Sequence, residues 1–236
     1  YFTARYELTK FIENERVDIV HAHYATGYGS LGRLLNAERY VLSVWGSDVL
    51  IFPGKSFLHR WLVQKNIRAA DVVCSTSEIM GEVVENLVPG KKCLITPFGI
   101  DTRKFYPIEE SRHNDKLIIG TVKKLTPIYG VDRLIRAFCE CIRSLNAEGS
   151  DFSSNLELLI VGDGPERKKL EYLVSSLGIE SYVSFNGAVP HSDVCRVLQS
   201  FDIYVAASRS ESFGVAVLEA SSCAVPVVVT NVGGLP

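Results

Sequence analysis

Short apolar runs rich in β-branched residues alternate with longer segments of helical period near the start of the chain. The runs predict strands at 17–21, 40–44, 71–74 and 93–96. The periodic segments predict helices near 28–37, 56–69 and 77–87. Because strands that alternate with helices are typical of parallel sheets, this region is predicted to be an α/β domain.

The alternation stops and then resumes further along the chain. Residues 97–115 combine prolines, glycine and charges without periodicity, which is typical of a linker. Beyond it, strands are predicted near 117–122, 157–161, 182–186, 202–206 and 226–230, and helices near 131–145, 165–177, 191–199 and 215–223. We therefore predict two Rossmann-like open parallel-sheet domains, 1–108 (with the linker from about 97) and 109–236, facing across a ligand-binding cleft.

Composition and charge exclude several classes of protein. The 236 residues carry a formal net charge of −2, without the basic excess that nucleic-acid binding needs. The apolar runs fall short of the roughly 20 residues that cross a bilayer. The six cysteines form no CxxC pair and lie in apolar runs, which favours a reduced, cytoplasmic protein. A start at Tyr1 and an end after a Gly-Gly turn suggest a fragment incomplete at both ends.

The segment ESFGVAVLE is the strongest candidate for chemistry. Gly214 and Val215 leave the first amides of a predicted helix open, and such a terminus binds phosphate groups. If a diphosphate binds at this terminus, Glu211, which precedes the helix, would lie near the group attached to the diphosphate. Glu219, in the second turn of the helix, is placed to accept hydrogen bonds from a ribose. A capped helix with one solvated and one buried glutamate fits the spacing equally well.

Several consecutive blocks resemble glycosyltransferase family 4 in the same order along nearly the whole chain. They include ADVVCSTSEIM, ITPFGIDTRKFYP, LIIGTVKKLTPIYGVDRLIRAF, LLIVGDGPERKKLE and ESFGVAVLEASSCAVPVVVTNVGGLP. The last block contains the E-x7-E motif of that family. The resemblance implies the two-domain GT-B fold and sugar transfer from a nucleotide sugar with retention at the anomeric carbon. No cluster of metal-ligating residues appears in the sequence, so we expect no metal or cofactor.

The resemblance also implies roles for residues of the E-x7-E block. Glu211 would lie by the donor sugar and Glu219 would contact the ribose. The backbone of Phe213, Gly214 and Val215 would hold the phosphates.

An earlier block departs from the pattern of the family. Lys124 stands where relatives carry an arginine, and Tyr129 stands where they carry a lysine. Lys124 is therefore the predicted charge stabiliser and Lys123 the second candidate, although a solvated strand end would also explain them. By resemblance, Gly162 would border the nucleotide and Val189 would flank the base.

The first domain offers weaker candidates. His21 and His23 lie on one face at the end of a predicted strand, where either can contact sugar or acceptor or be structural. Asp48 in WGSDV is a further candidate for such a contact, but Trp45 replaces the histidine that relatives often carry there.

The segment KSFLHRWLVQKNIRAA mixes four cations with large apolar residues. It fits either a helix on an anionic membrane surface or a core helix with snorkelling cations, and we favour the core helix.

A competing fingerprint is GYGSLG at 27–32, followed by Asp48 near the distance of a ribose-binding acid. An NAD-dependent oxidoreductase and a non-catalytic two-domain binding protein therefore remain alternatives. The sequence favours a cytoplasmic transferase acting on a glycan or lipid-linked acceptor in bacterial surface polysaccharide synthesis, with peripheral contact at the inner membrane face as an option.

Overall fold

The computed structural model describes residues 2–35, 37–108, 116–149 and 151–235, without the side chains of residues 2, 151 and 152. The chain forms two compact units, Tyr1–Phe98 and Gly99–Pro236. This division lies inside the segment predicted to be a linker. Residues 109–115 of that segment lie outside the described residues, and the boundary at 108/109 stays a prediction.

Unit 1 is a four-stranded parallel sheet with strands in chain order. Its elements are α1 (Phe2–Glu15), β1 (Ile19–His23), α2 (Gly27–Leu34), β2 (Arg39–Ser43), α3 (Ser47–Leu50), a 3-10 turn (Phe52–Lys55), α4 (Phe57–Ala69), β3 (Val72–Ser75), α5 (Glu78–Leu87) and β4 (Cys93–Ile95). The sequence did not predict α1. Tyr6 and Phe11 of α1 are exposed, so the helix lacks a clear apolar stripe.

Unit 2 is a five-stranded parallel sheet. Its elements are β5 (Leu117–Val122), a 3-10 turn (Pro127–Tyr129), α6 (Val131–Ala147), a 3-10 turn (Asp151–Asn155), β6 (Leu156–Val161), α7 (Arg167–Leu177), a 3-10 turn (Glu180–Tyr182), β7 (Val183–Phe185), α8 (His191–Leu198), β8 (Ile203–Ala206), α9 (Val215–Ser222) and β9 (Val227–Val229).

Strand β6 is buried between helices on both faces of the sheet. Leu158 and Ile160 belong to one apolar cluster, whereas Val161 belongs to a second. Since neighbouring strand residues point to opposite faces, β6 has an apolar layer on each side.

The order of strands in unit 2 is β7-β6-β5-β8-β9. The chain moves outward from β5 to β6 and β7, then crosses to the other side of β5 for β8 and β9. The loops after β5 and β8 therefore leave a crevice between them, which is where open α/β sheets bind ligands.

Candidate functional site

An ion pair joins the two loops at this crevice. Lys123 Nζ lies 2.8 Å from Glu211 Oε2, and the two side chains are only 10% and 14% exposed. The ammonium also lies 4.9 Å from the centre of the Tyr129 ring. Burial, and then the nearby Glu211 charge, raise the pKa of Tyr129. The structure therefore places Lys123, the second candidate from the sequence, directly against Glu211.

A second ion pair fixes the loop after β8. Arg209 donates to both carboxylate oxygens of Asp132, at 2.7 and 2.6 Å, and to the Pro127 carbonyl oxygen at 2.7 Å. Hydrogen bonds from the Arg209 guanidinium lower the pKa of Asp132. Sequence reasoning missed Arg209, because its partner is 77 residues away and no local pattern marks the pair.

The amino terminus of α9 follows this loop. Gly214 is the cap residue, has φ of 91°, and has no side chain with which to cap the helix. The first amides of a helix have no intrahelical acceptor, so this terminus has the donors that an anion needs. The predicted phosphate contacts from Phe213, Gly214 and Val215 fall at this position.

A glycine turn packs behind Glu211. The Gly234 amide donates to the Glu211 carbonyl oxygen at 3.1 Å. A Cβ on Gly233, whose φ is 54°, would overlap that same oxygen. The loop after β8 is therefore held on the α6 side by Arg209 and from behind by this turn.

Glu219 lies in the second turn of α9 and is 8% exposed. Its Oε1 is 3.3 Å from Nε2 of His191, the first residue of α8. The His191 ring also meets the buried Phe105 ring edge-on at 5.7 Å. His191 was missed because its partner is 28 residues away in sequence.

Four predicted donor-site residues line one recess at the carboxyl ends of β5 and β6. Lys123, Lys124, Gly162 and Val189 form its wall together with Val122, Val161, Asp163 and Ala188. Lys124 is exposed at the recess, whereas the side chain of Lys123 is largely buried and paired with Glu211. The structure thus brings these residues together, and their roles remain predictions.

Gly162 closes the recess by fitting against the loop after β5. Its φ is 138°, and a Cβ there would overlap the Lys123 carbonyl oxygen. We expect Gly162→Ala to lower the free energy of unfolding by about 2–4 kcal/mol through overlap and backbone strain. Gly178→Ala is the matched control, since its φ is 69° with no atom within 4 Å of the added Cβ. Urea unfolding should show that Gly178→Ala lowers the free energy of unfolding by about 1 kcal/mol. Equal losses of stability in the two variants would contradict the role of Gly162.

The histidines of unit 1 lie at the carboxyl end of β1. His21 Nε2 is 2.7 Å from Ser43 Oγ, and Trp45 Nε1 donates to His23 Nδ1 at 3.2 Å. The ring centroids of His21 and His23 are 4.3 Å apart, and both histidine side chains are exposed. Partial burial, and then the neighbouring His23, lower the pKa of His21. Both histidines remain accessible to a ligand.

Asp48 is a correction to the sequence-based prediction. It is 1% exposed. Its carboxylate accepts hydrogen bonds from the amides of Ala25, Trp45 and Gly46, at 2.8, 3.0 and 2.9 Å. Asp48 therefore braces two loops inside unit 1 and presents no surface to a sugar or a ribose.

The glycines of GYGSLG serve packing in the structure. A Cβ on Gly29 would lie 2.9 Å from the Tyr24 carbonyl oxygen, and one on Gly32 would lie 2.6 Å from the Tyr40 ring. The helix and the sheet approach closely because these side chains are absent. Because Asp48 is buried and cannot bind a ribose, the structure does not support a dinucleotide-binding site at GYGSLG.

Among the described residues, no cluster of three or more His, Cys, Asp or Glu side chains could hold a metal ion. Across the same residues, the helices are too short or too polar to cross a membrane. Independence from metal and cofactors remains a prediction.

Comparison with known protein families identifies the family to which this chain belongs. The family described as Glycosyl transferases group 1 matches residues 103–236, more than half of the chain, and a second, Glycosyl transferase 4-like, matches residues 1–77. The chain belongs to the group 1 glycosyl transferases. N-acetyl-alpha-D-glucosaminyl L-malate synthase of Bacillus anthracis is 30% identical over 247 residues, which cover 98% of this chain and 61% of that protein. The group 1 chain thus spans about three fifths of this relative.

Solved structures share its fold. Sucrose-phosphate synthase from Thermosynechococcus elongatus gives a TM-score of 0.81 at 20% identity, over 98% of this chain and 60% of that one. Anabaena Alr3699/HepE, in complex with UDP and glucose, gives 0.76 at 19% identity, over 98% and 63% of the two chains. The predicted class of two parallel-sheet α/β domains of GT-B type is confirmed.

Proposed function

We propose that the protein transfers a sugar from a nucleoside diphosphate sugar to a glycan or lipid-linked acceptor, with retention at the anomeric carbon. One observation carries the proposal. The carboxylate of Glu211 is held by Lys123 at the strand-order switch of unit 2, immediately before the uncapped amino terminus of α9. A purely structural helix would need neither arrangement.

The diphosphate would bind between the α9 terminus and Lys124. Helix amides and an exposed ammonium stabilise the negative charge that develops as the bond between sugar and diphosphate breaks. A diphosphate oxygen then takes the acceptor proton as the new glycosidic bond forms. Glu211 would position the sugar, and Lys123 would hold Glu211 in place.

The nucleoside would extend toward α8. Glu219 would accept hydrogen bonds from the ribose, and His191 would orient its carboxylate. Val189 would lie beside the base, at the wall that it shares with Gly162. HepE is described in complex with UDP and glucose, which supports a uridine diphosphate sugar as the first donor to test.

The acceptor half of the reaction is assigned to unit 1. His21 and His23 are its exposed polar groups at the carboxyl end of β1 and would contact sugar or acceptor. The unpaired cysteines of the described chain favour a cytoplasmic enzyme, and we propose bacterial surface polysaccharide synthesis as its setting. No step in this scheme calls for a metal ion.

Isothermal titration calorimetry tests the donor site. UDP or GDP should bind with a measurable heat, because the helix terminus and Lys124 supply a site for a diphosphate. NADH should give none, since Asp48 is buried. Binding of NADH alone would contradict the proposal, and Gly162→Ala should weaken nucleotide binding by displacing the Lys123 loop.

A further inference from the structure

Two cysteines of unit 2, here called the thiol pair, face each other where α8 packs against α9. Cys195 Sγ lies 3.8 Å from Cys223 Sγ. Cys195 is half-buried, and Cys223 is 4% exposed. Because the sulfur atoms of a disulfide are about 2 Å apart, a small rotation of the side chains with a small approach of the helices would bring them to bonding distance. The thiol pair can therefore form a disulfide bond while both helices stay folded.

This contact is not a simple consequence of cysteines lying on neighbouring elements. Cys74 and Cys93 lie on the paired strands β3 and β4. In that register Cys93 lies opposite Val73, so Cys93 and Cys74 point to opposite faces of the sheet. Neighbouring strands therefore keep those two thiols apart, whereas α8 and α9 bring Cys195 and Cys223 together.

A preceding segment of the chain holds the two helices in place beside the thiol pair. Ser222 Oγ, at the end of α9, donates to the Phe105 carbonyl oxygen at 2.7 Å. Gln199 Nε2, directly after α8, donates to the Tyr106 carbonyl oxygen at 2.6 Å. Both hydrogen bonds lie within about one helical turn of a member of the thiol pair. The separation of the two helices is therefore fixed by the fold at this point.

The thiol pair lies one helical turn from the carboxylate that we assign to the ribose. Cys195 follows His191 by four residues, and Cys223 follows Glu219 by four. The Cys223 amide donates to the Glu219 carbonyl oxygen at 3.2 Å. Since residues four apart share a helix face, the thiol contact and the 3.3 Å contact between His191 Nε2 and Glu219 Oε1 are neighbours between the same two helices. A change of helix separation at the thiols therefore also moves Glu219.

We infer that Cys195 and Cys223 form a reversible disulfide bond in the presence of a small-molecule disulfide, and that this bond weakens nucleotide binding at Glu219. The Cys195 thiolate attacks the small disulfide and releases one small thiolate. The Cys223 thiol then loses its proton, its sulfur attacks the Cys195 sulfur of the mixed disulfide, and the second small thiolate leaves. The two cysteines together lose two electrons, which reduce the small disulfide to two thiols.

Exposure decides which cysteine reacts first. Cys195 is half-buried and can meet a small molecule from solvent. Burial, and then the hydrogen bond with the Cys195 thiol, raise the pKa of Cys223 to about 12. A protonated, buried sulfur is a poor nucleophile, so Cys223 does not begin the exchange and instead completes it.

Peptide mapping tests the disulfide bond without an assay of activity. After incubation with oxidised glutathione and blocking of free thiols, the peptides that contain Cys195 and Cys223 should be linked, and dithiothreitol should separate them. Cys195→Ser should abolish the link. Cys141→Ser is the matched control, because it removes an exposed thiol of α6, and it should keep the link. A map in which Cys195 and Cys223 stay unlinked would overturn the inference.

Calorimetry with UDP tests the effect on binding, which rests on the proposed function, whereas the disulfide bond does not. The oxidised protein should bind UDP roughly tenfold more weakly than the reduced protein, because a displaced Glu219 loses a hydrogen bond to the ribose. Cys195→Ser should bind UDP equally under both conditions, and Cys141→Ser should behave as wild type. Equal affinities of fully linked and reduced protein would overturn the effect on binding. Failure of the reduced protein to bind UDP would contradict the proposed donor site and this effect with it, while the peptide map would still decide the disulfide bond.

Discussion

Lys124→Met is expected to lower kcat by roughly 100- to 1000-fold, the usual cost of removing one group that stabilises transition-state charge. Lys124 is exposed at the recess that Gly162 and Val189 also line. In the proposed reaction its ammonium would meet the departing diphosphate. Methionine keeps the length of the side chain and removes only the charge. Steady-state kinetics with a nucleoside diphosphate sugar measures the effect.

Lys168→Met is the matched control, because Lys168 is an exposed lysine of α7 outside the residues that line the recess. Its kcat should stay within about twofold of wild type, as expected for a surface change away from the chemistry. A Lys124→Met enzyme with normal kcat would remove Lys124 from the mechanism. The charge stabiliser would then have to be Lys123.

Glu211→Gln and Lys123→Met are each expected to lower kcat roughly hundredfold, because a misplaced sugar loses its reactive orientation. The ion pair at 2.8 Å couples the two side chains. Residues that act as a unit are strongly non-additive, so the double variant should be little worse than either single one. By contrast, the increases in activation free energy caused by Lys124→Met and Glu211→Gln should add in the double variant.

Proton NMR of the product measures these rates and also reads the anomeric configuration. An α-configured donor should give an α-linked product, as retention requires. Inversion would contradict the proposed mechanism while leaving nucleotide binding intact. Additive losses for Lys123 and Glu211 would show that the ion pair does not position the carboxylate.

Most strands and helices could be predicted from sequence because each carries its own period of apolar residues. β5 occupies the predicted range 117–122, and α9 begins at the predicted Val215. Helix α1 was not predicted, because its large apolar residues Tyr6 and Phe11 are exposed and do not form an apolar stripe facing the core. Its helical state is visible only in three dimensions.

The block that carries the proposed donor site could be identified from the sequence, but the contacts of its residues could not. The block containing Glu211 and Glu219 carries a specific family pattern, but pairings with distant residues have no local signature. His191 and Arg209 could not be identified for that reason, and the sequence could not tell that Lys123 rather than Lys124 meets Glu211. The prediction for Asp48 failed because spacing alone does not reveal that a carboxylate is fully occupied by backbone amides.

The bracing of the loop that carries Glu211 has a consequence for binding. Arg209 ties the loop to Asp132, and the Gly233-Gly234 turn supports its backbone. A carboxylate already fixed before the donor arrives loses little conformational entropy when the complex forms. In the proposed reaction, more of the contact energy would then remain for the bond-breaking step, and the glycine turn would contribute to turnover through preorganisation.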